Sequence, residues 1–224
     1  MTLKLYQHPL ASYCWKVLIA LYENGTDFEP VLVDLGDPES RAAFEAVWPL
    51  AKMPALRDEA RGCTVAESTV VVEYLDTNYP GAAALIPRDA DAAWRVRMWD
   101  RLFDNHVQGP LQTIVFERLR PPGNADPFGV EQARAQLAAV YGVMDRMLGG
   151  TWATGDGFTL ADCSAAPALF YADLVVPLAP HRKLSAYLDR LMSRPSVARV
   201  LREAEPYFHY FPMDRKPRLV RGSV

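Results

Sequence analysis

A small α/β unit followed by an all-helical unit is the fold this sequence predicts, and three observations predict it. Residues 1–81 alternate short strand patterns with helix patterns in the order β-α-β-α-β-β-α. Tyr79-Pro80-Gly81 then punctuates the chain. Every periodic segment beyond it has helical spacing. The units read as 1–81, a linker over 82–91, and 92–224. Charge divides the same way, with a net of −6 in the first unit and +3 in the remainder.

Leu3 to Tyr6 alternates like a strand and is broken by His8-Pro9-Leu10-Ala11. Ser12 to Asn24 places Val17, Leu18 and Leu21 on one helical side, and Gly25 follows where a left-handed cap is common. Phe28 to Val33 reads as a strand. Pro38 to Val47 reads as a helix with proline at a tolerated first position. Two strands, Pro54 to Arg57 and Cys63 to Val65, flank a polar turn, and Glu67 to Asn78 is the next helix. In the second unit, Ala92 to Leu119 reads as one long helical stretch that Pro110 bends or divides. Arg120 to Pro127 is expected to be a loop. Glu131 to Leu148 carries a clear helical stripe, and Thr159 to Val176, Lys183 to Ser193 and Ser196 to Ala204 complete the set. The aromatic segment from Pro206 to Met213 is expected to strap the second unit, and the basic end from Arg215 to Arg218 to be solvated.

Composition narrows the function. With 24 basic and 27 acidic side chains, the net charge of −3 offers no surface for nucleic acid. The three cysteines, Cys14, Cys63 and Cys163, are too few and too separated for a disulfide framework or a zinc site. Residues 160–179 are apolar but interrupted by Asp162, Pro167, Asp173 and Pro177, which predicts a buried helix and no membrane span. The N-terminus lacks signal-peptide character. A reducing cytoplasm is the expected location.

Four local motifs carry chemistry. In the segment from His8 to Val17 a strand ends and a helix begins beside a hydroxyl and a thiol, where free N–H groups and a partial positive charge favour a thiolate. The simpler reading is that Ser12 caps the helix. At Lys52-Met53-Pro54-Ala55-Leu56, a cis Met53–Pro54 bond would turn the Met53 backbone outward to pair with a bound peptide, while the simpler reading is an ordinary trans proline at a strand start. Ala66-Glu67-Ser68-Thr69 again joins a strand to a helix, and suits the α-carboxylate and α-amine of an amino acid. At Phe158-Thr159-Leu160-Ala161-Asp162 the structural reading is preferred, with Thr159 and Asp162 locking a buried helix start.

In this order and at these distances, the motifs resemble the cytosolic glutathione transferase family, with its bacterial serine-type and zeta-like members nearest. The resemblance spans almost the whole chain. It implies a thioredoxin-like domain before an all-α domain, glutathione as co-substrate, no metal, and a homodimer. It places the γ-glutamyl end of glutathione at Glu67 and Ser68, its cysteinyl backbone at Met53 beside Pro54, and its sulfur near Ser12. Lys52 or Arg41 would meet the glycyl carboxylate.

Zeta-like members carry two serines before this turn; Ala11 stands at the first position and Ser12 at the second. The catalytic role therefore falls to Ser12, with Cys14, Tyr13 or a helix N–H as the alternative holders of the thiolate. Ala11 also takes the place of the nucleophilic cysteine of dithiol reductases. A small hydrophobic electrophile is expected between the units, against Tyr13, Trp15, Phe103, His106 and Phe116. The alternatives are isomerase, dehalogenase or peroxidase chemistry on the same scaffold, or non-catalytic binding of glutathione or another ligand. An isomerase would need cationic groups, for which Arg95, Arg97 and Arg118 are the candidates.

Overall fold

The computed structural model describes residues 2–82 and 84–219. Its first part runs β1 (Leu3–Gln7), α1 (Ser12–Asn24), β2 (Glu29–Leu32), α2 (Pro38–Glu45), β3 (Ala55–Asp58), β4 (Cys63–Ala66) and α3 (Ser68–Asn78). The strands lie in the order β2-β1-β3-β4. Strand β1 pairs parallel with β2 and antiparallel with β3, and β3 pairs antiparallel with β4. Leu3 and Leu5 are buried while Lys4 and Tyr6 are half-buried, the period-2 pattern of a strand. The two leucines meet α1 and α3 in the main core. On the opposite face Val33, Phe44 and Ala55 form a smaller core under α2, with Tyr6 stacked 5.7 Å from Phe44.

Helix α1 ends as its sequence predicts, on Gly25 with φ 62°. Every residue from Cys14 to Leu21 is buried. A helix buried all round needs packing on two sides. Here α1 lies against α3 of its own unit and against α7 (Leu160–Asp173) of the second, itself buried throughout.

The second part begins with α4 (Ala90–Arg101), two residues before its expected start. The connecting segment is anchored, because Leu85 is buried, donates its N–H to Asp76 Oδ1 and accepts from Leu160 N–H. The long helical stretch expected up to Leu119 is divided, one of the two outcomes expected of Pro110. A π-helical stretch, Leu102–Gln108, follows α4 and leads into α5 (Gly109–Glu117). Pro110 has no N–H to continue an α ladder, and the chain widens ahead of it, with Gly109 N–H reaching Asp104 O. Helix α6 (Pro127–Met147) starts at the end of the expected loop, with Pro127 in its first turn. Helices α8 (Arg182–Ser193) and α9 (Pro195–Ala204) follow α7.

Asp162 secures the start of α7. Fully buried, it accepts from Thr159 N–H (2.8 Å), Ala153 N–H (2.9 Å) and the Tyr187 hydroxyl (2.5 Å). The aromatic segment is a 3-10 helix, Glu205–Tyr210, and works as a strap: Phe208 packs on Phe170, and Phe211 stacks 5.1 Å from Tyr171. The basic end is not simply solvated. Asp214 pairs with Arg118, Arg215 reaches Asp173 O, and Lys216 donates to Phe211 O.

A second clamp joins the end of α1 to the start of α9. Arg194 donates to Glu23 Oε1 from Nε (2.9 Å) and to Glu23 Oε2 from Nη2 (2.6 Å), with its guanidinium 4.5 Å from the Phe158 ring. Burial pushes the Glu23 carboxyl up, but the bonds from Arg194 and Ser196 outweigh it and hold the group below its ordinary value. Among the described residues, no helix is long and apolar enough to cross a membrane.

Candidate active site

Strand register assembles the site. Tyr6 pairs with Ala55 and Ala55 with Ala66, so the three strands align across the sheet. The loop from His8 to Ala11, the Met53-Pro54 pair and the Glu67-Ser68 pair therefore all adjoin one end of it. Three motifs separated by up to about sixty residues in sequence share one edge.

At that edge the capping role foreseen for Ser12 passes to Ala11, which has no side-chain oxygen to offer. Ser12 is the first helical residue and half-buried. Ala11 O accepts from Cys14 and Trp15 N–H at 2.9 and 3.1 Å. The Ser12 and Tyr13 N–H groups have no backbone partner among the described residues. The loop is held by Trp15 Nε1, which donates to Pro9 O at 2.5 Å, and by Leu10 N–H on His8 Nδ1. Burial lowers the His8 pKa, consistent with a neutral ring that accepts this bond.

The peptide bond between Met53 and Pro54 is cis, the less common of the two forms the sequence leaves open. Pairing in β3 starts only at Ala55, which leaves the Met53 N–H and C=O outside the ladder. Glu67 has φ 66° and ψ 112°, a left-handed backbone unusual for a residue with a Cβ. It precedes Ser68, which is buried at the first position of α3. Lys52 is exposed beside Met53, whereas Arg41 pairs with Glu45 on the surface of α2.

Electrostatics separates the alternatives to Ser12. Burial pushes the Cys14 thiol up to about 12, and Cys14 is completely enclosed. It offers neither a thiolate nor an accessible donor, so it leaves the candidate set. Burial, assisted by the Asp104 carboxylate, also raises the Tyr13 hydroxyl to about 12. Tyr13 therefore stays protonated at neutral pH and acts only as a donor.

Of the expected electrophile walls, Tyr13 alone lines the crevice with Ser12, together with Lys16, Asp104, Gln108 and Ser164. Trp15 and Phe103 are corrected. Both are fully buried, Trp15 against Phe170 and Tyr171, Phe103 between Trp99 and Tyr187. Their aromatic character reflects core packing. His106 is exposed on the π-helical stretch and Phe116 is exposed on α5.

Sequence reasoning missed a buried ionic cluster behind the crevice. Lys16 Nζ, four residues after Ser12 on α1, lies 2.5 Å from Asp100 Oδ1, 2.8 Å from Asp104 Oδ2 and 2.8 Å from Thr69 Oγ1. Ser164 donates to Asp100, and Arg101 bonds both carboxylates. Burial pushes the Asp100 carboxyl up, but Lys16 outweighs this and holds it below the usual range. The available signal was Lys16 itself, the one charged residue in an otherwise apolar run from Cys14 to Leu21.

Comparison with known proteins agrees with this fold. A model described as "Glutathione S-transferase, N-terminal domain" matches residues 5–83, and one described as "Glutathione S-transferase, C-terminal domain" matches residues 127–190. The chain is 32% identical to glutathione S-transferase 3 of Zea mays over 204 residues, covering 87% of this chain and 90% of that one. It belongs to the glutathione S-transferase family. Maleylacetoacetate isomerase of Rattus norvegicus is 28% identical over 188 residues, covering 81% and 83% of the two chains. Among solved structures, a glutathione S-transferase of Methylobacillus flagellatus with glutathione bound superposes with a TM-score of 0.80 at 31% identity, covering 88% and 98%. The family's two-part architecture, a four-stranded mixed sheet with helices and then a helical domain, is the one described above.

Proposed function

We propose that this protein is a glutathione transferase of the serine type, which adds the glutathione thiolate to a small hydrophobic electrophile. The observation that carries the reading is the convergence of Ser12, Met53 and Glu67-Ser68 at one end of the sheet. Glutathione would lie along that edge. Its cysteinyl backbone pairs with the unladdered Met53, its γ-glutamyl group meets Glu67 and Ser68, and Lys52 faces its glycyl carboxylate.

A cysteine thiol titrates near pH 8.5, so little is ionised at pH 7. Lowering its pKa by two units requires about 2.7 kcal/mol of preferential stabilisation of the thiolate. One charge-assisted bond from the Ser12 hydroxyl, joined by the unpaired N–H groups of the first turn, is of that size. Ser12 donates to the sulfur without itself losing a proton. Positioning against the electrophile supplies the remainder.

Isomerisation of an unsaturated diacid is the second reading, favoured by the likeness to maleylacetoacetate isomerase. The three arginines proposed for it are engaged elsewhere. Arg95 stacks on Trp94, Arg97 pairs with Glu73 and Arg118 with Asp214. The transferase reading is therefore preferred. A cytoplasmic homodimer completes it, with the exposed Val70, Trp94 and Met98 of α3 and α4 offering an apolar face to the partner.

The test is the ultraviolet absorbance of bound glutathione, titrated with pH in the native protein and in Ser12→Ala. A thiolate band below pH 7 that moves to higher pH in Ser12→Ala is expected. Binding without a lowered thiol pKa would overturn the catalytic reading. A lowered pKa that Ser12→Ala leaves unchanged would transfer the role to Tyr13 or the helix N–H groups.

A further inference from the structure

The loop that leads into Ser12 is held in part by a titratable side chain. His8 directly follows β1, and Leu10 donates its N–H to His8 Nδ1 at 3.2 Å. Leu10 N–H has no backbone acceptor among the described residues, and Pro9 has no N–H to contribute. The turn's other ties are Ala11 N–H to His8 O at 2.9 Å and Trp15 Nε1 to Pro9 O at 2.5 Å. Ala11 in turn supplies the carbonyl on which the first turn of α1 closes, with Cys14 and Trp15 N–H as its donors. The imidazole therefore belongs to the set of bonds that joins the strand end to the helix start carrying Ser12.

Accepting at Nδ1 requires the lone pair there, so the neutral ring carries its proton on Nε2. A second proton would set N–H against N–H at the Leu10 contact and turn the tie into a repulsion. Two groups face the ring from other segments. Asp34, in the turn after β2, favours the cation, and its Oδ1 already accepts from Gly36 N–H at 2.8 Å. Tyr207, on the 3-10 helix, meets the ring edge-on with centroids 5.7 Å apart. Burial opposes the charge and outweighs Asp34, so the accepting form persists somewhat below the pH at which a free histidine would lose it.

We propose that His8 is a positioning residue for the thiol-activating start of α1: its neutral ring holds the loop from His8 to Ala11 in place, and its protonation releases that loop and slows conjugation in acid. His8 acts through Leu10 and Ala11 and not by touching the sulfur. The proposal rests on the transferase reading given above.

Two readouts test it. The first is the Leu10 amide in the full-length protein, followed by nuclear magnetic resonance against pH with no substrate present. It should shift with a midpoint below 6.5, the ordinary histidine value, and His8→Asn should abolish the titration. Asparagine is the rescuing variant because its side-chain oxygen accepts from the N–H two residues on and does not titrate. The second readout is kcat for 1-chloro-2,4-dinitrobenzene at saturating glutathione. At about pH 7.5, His8→Leu should be about fivefold slower than His8→Asn, the effect of one lost hydrogen bond. Between about pH 7.5 and 4.5, the native rate should fall about fivefold further than that of His8→Asn, which adds no protonation to that of the thiol. The native and His8→Asn profiles decide the matter if His8→Leu does not fold. A Leu10 amide that does not titrate, or parallel pH–rate profiles for native protein and His8→Asn, would overturn the proposal. A titrating Leu10 amide in a protein that conjugates nothing at any pH would instead overturn the transferase reading, and the positioning role with it.

Discussion

Lys16 Nζ lies 2.5 Å from Asp100 Oδ1 with both side chains removed from solvent, so one ammonium ties α1 of the first unit to α4 of the second. The same ammonium reaches Thr69, which directly follows Ser68. The two helix starts proposed to hold glutathione therefore share a single buried counter-charge. Such a cluster is more costly to break than it was valuable to form, because the partner left behind keeps its charge without compensation. Lys16→Met removes the buried ammonium and leaves the more exposed Arg101 as the cation still bonded to Asp100 and Asp104. It should lower unfolding free energy by about 3–5 kcal/mol, measured by urea denaturation. A loss under about 1 kcal/mol, the range of exposed pairs, would mean that water reaches the cluster.

Glu23 predicts a pH dependence. Its folded pKa lies below the ordinary value of 4.5 because the bonds from Arg194 and Ser196 outweigh burial. The unfolded chain then binds the proton more readily than the folded one, so stability falls as pH falls. The contribution is complete above pH 4.5 and is lost as pH drops through the folded value. Glu23→Gln should be less stable than the native protein at pH 7 and lose less stability on acidification below 4.5. Melting temperatures across that range check both signs.

Thiol accessibility separates the three cysteines. Cys14 and Cys163 are fully buried with thiols pushed up by that burial, while Cys63 is half-buried beside the Tyr74 hydroxyl. One thiol should react with a disulfide reagent in the folded protein and three after denaturation. Rapid labelling of Cys14, identified by peptide mass, would return it to the list of thiolate holders.

Glu67 should show stability and binding moving in opposite directions. Its φ of 66° costs a residue with a Cβ about 1–3 kcal/mol, from which glycine is exempt. Glycine also costs about 0.5–1 kcal/mol through the unfolded chain. Glu67→Gly should gain roughly 1 kcal/mol of stability. It should also bind glutathione more weakly, having lost the carboxylate proposed to meet the ammonium. Calorimetric titration beside thermal melting separates the two effects, and unchanged affinity would remove Glu67 from the site.

Much of this architecture was legible where local chemistry decides it. Ser12 and Gly25 bound α1 as read, since a turn before and a left-handed glycine after leave little freedom. The Thr159–Asp162 lock was legible for the same reason, whereas the local sequence left the bond before Pro54 open between cis and trans. What sequence could not convey was which side of an element meets a neighbour. Trp15 and Phe103 have the residue types of a pocket wall, yet the meeting of α1 with α7, and of the π-helical stretch with α7 and α8, encloses both. The Lys16 cluster draws on α1, α3, α4, the π-helical stretch and α7. No local pattern announces a contact among five separate segments. Pro110 announced a bend or break in the long helix, but the π turn ahead of it was hidden, since it interrupts helical periodicity by only one residue.

That added residue acts as a phase shifter. One residue corresponds to about 100° around an α-helix. Relative to an uninterrupted helix, the stretch Leu102–Gln108 therefore turns everything on α5 by that angle while α4 keeps its grip on Lys16. A lineage that dropped one residue here would turn a different set of α5 side chains toward α6, the helix on which α5 packs. The packing of the whole helical unit could then be reset in a single genetic step, with the sheet edge that carries Met53 and Ser68 and the Lys16 cluster left as they were.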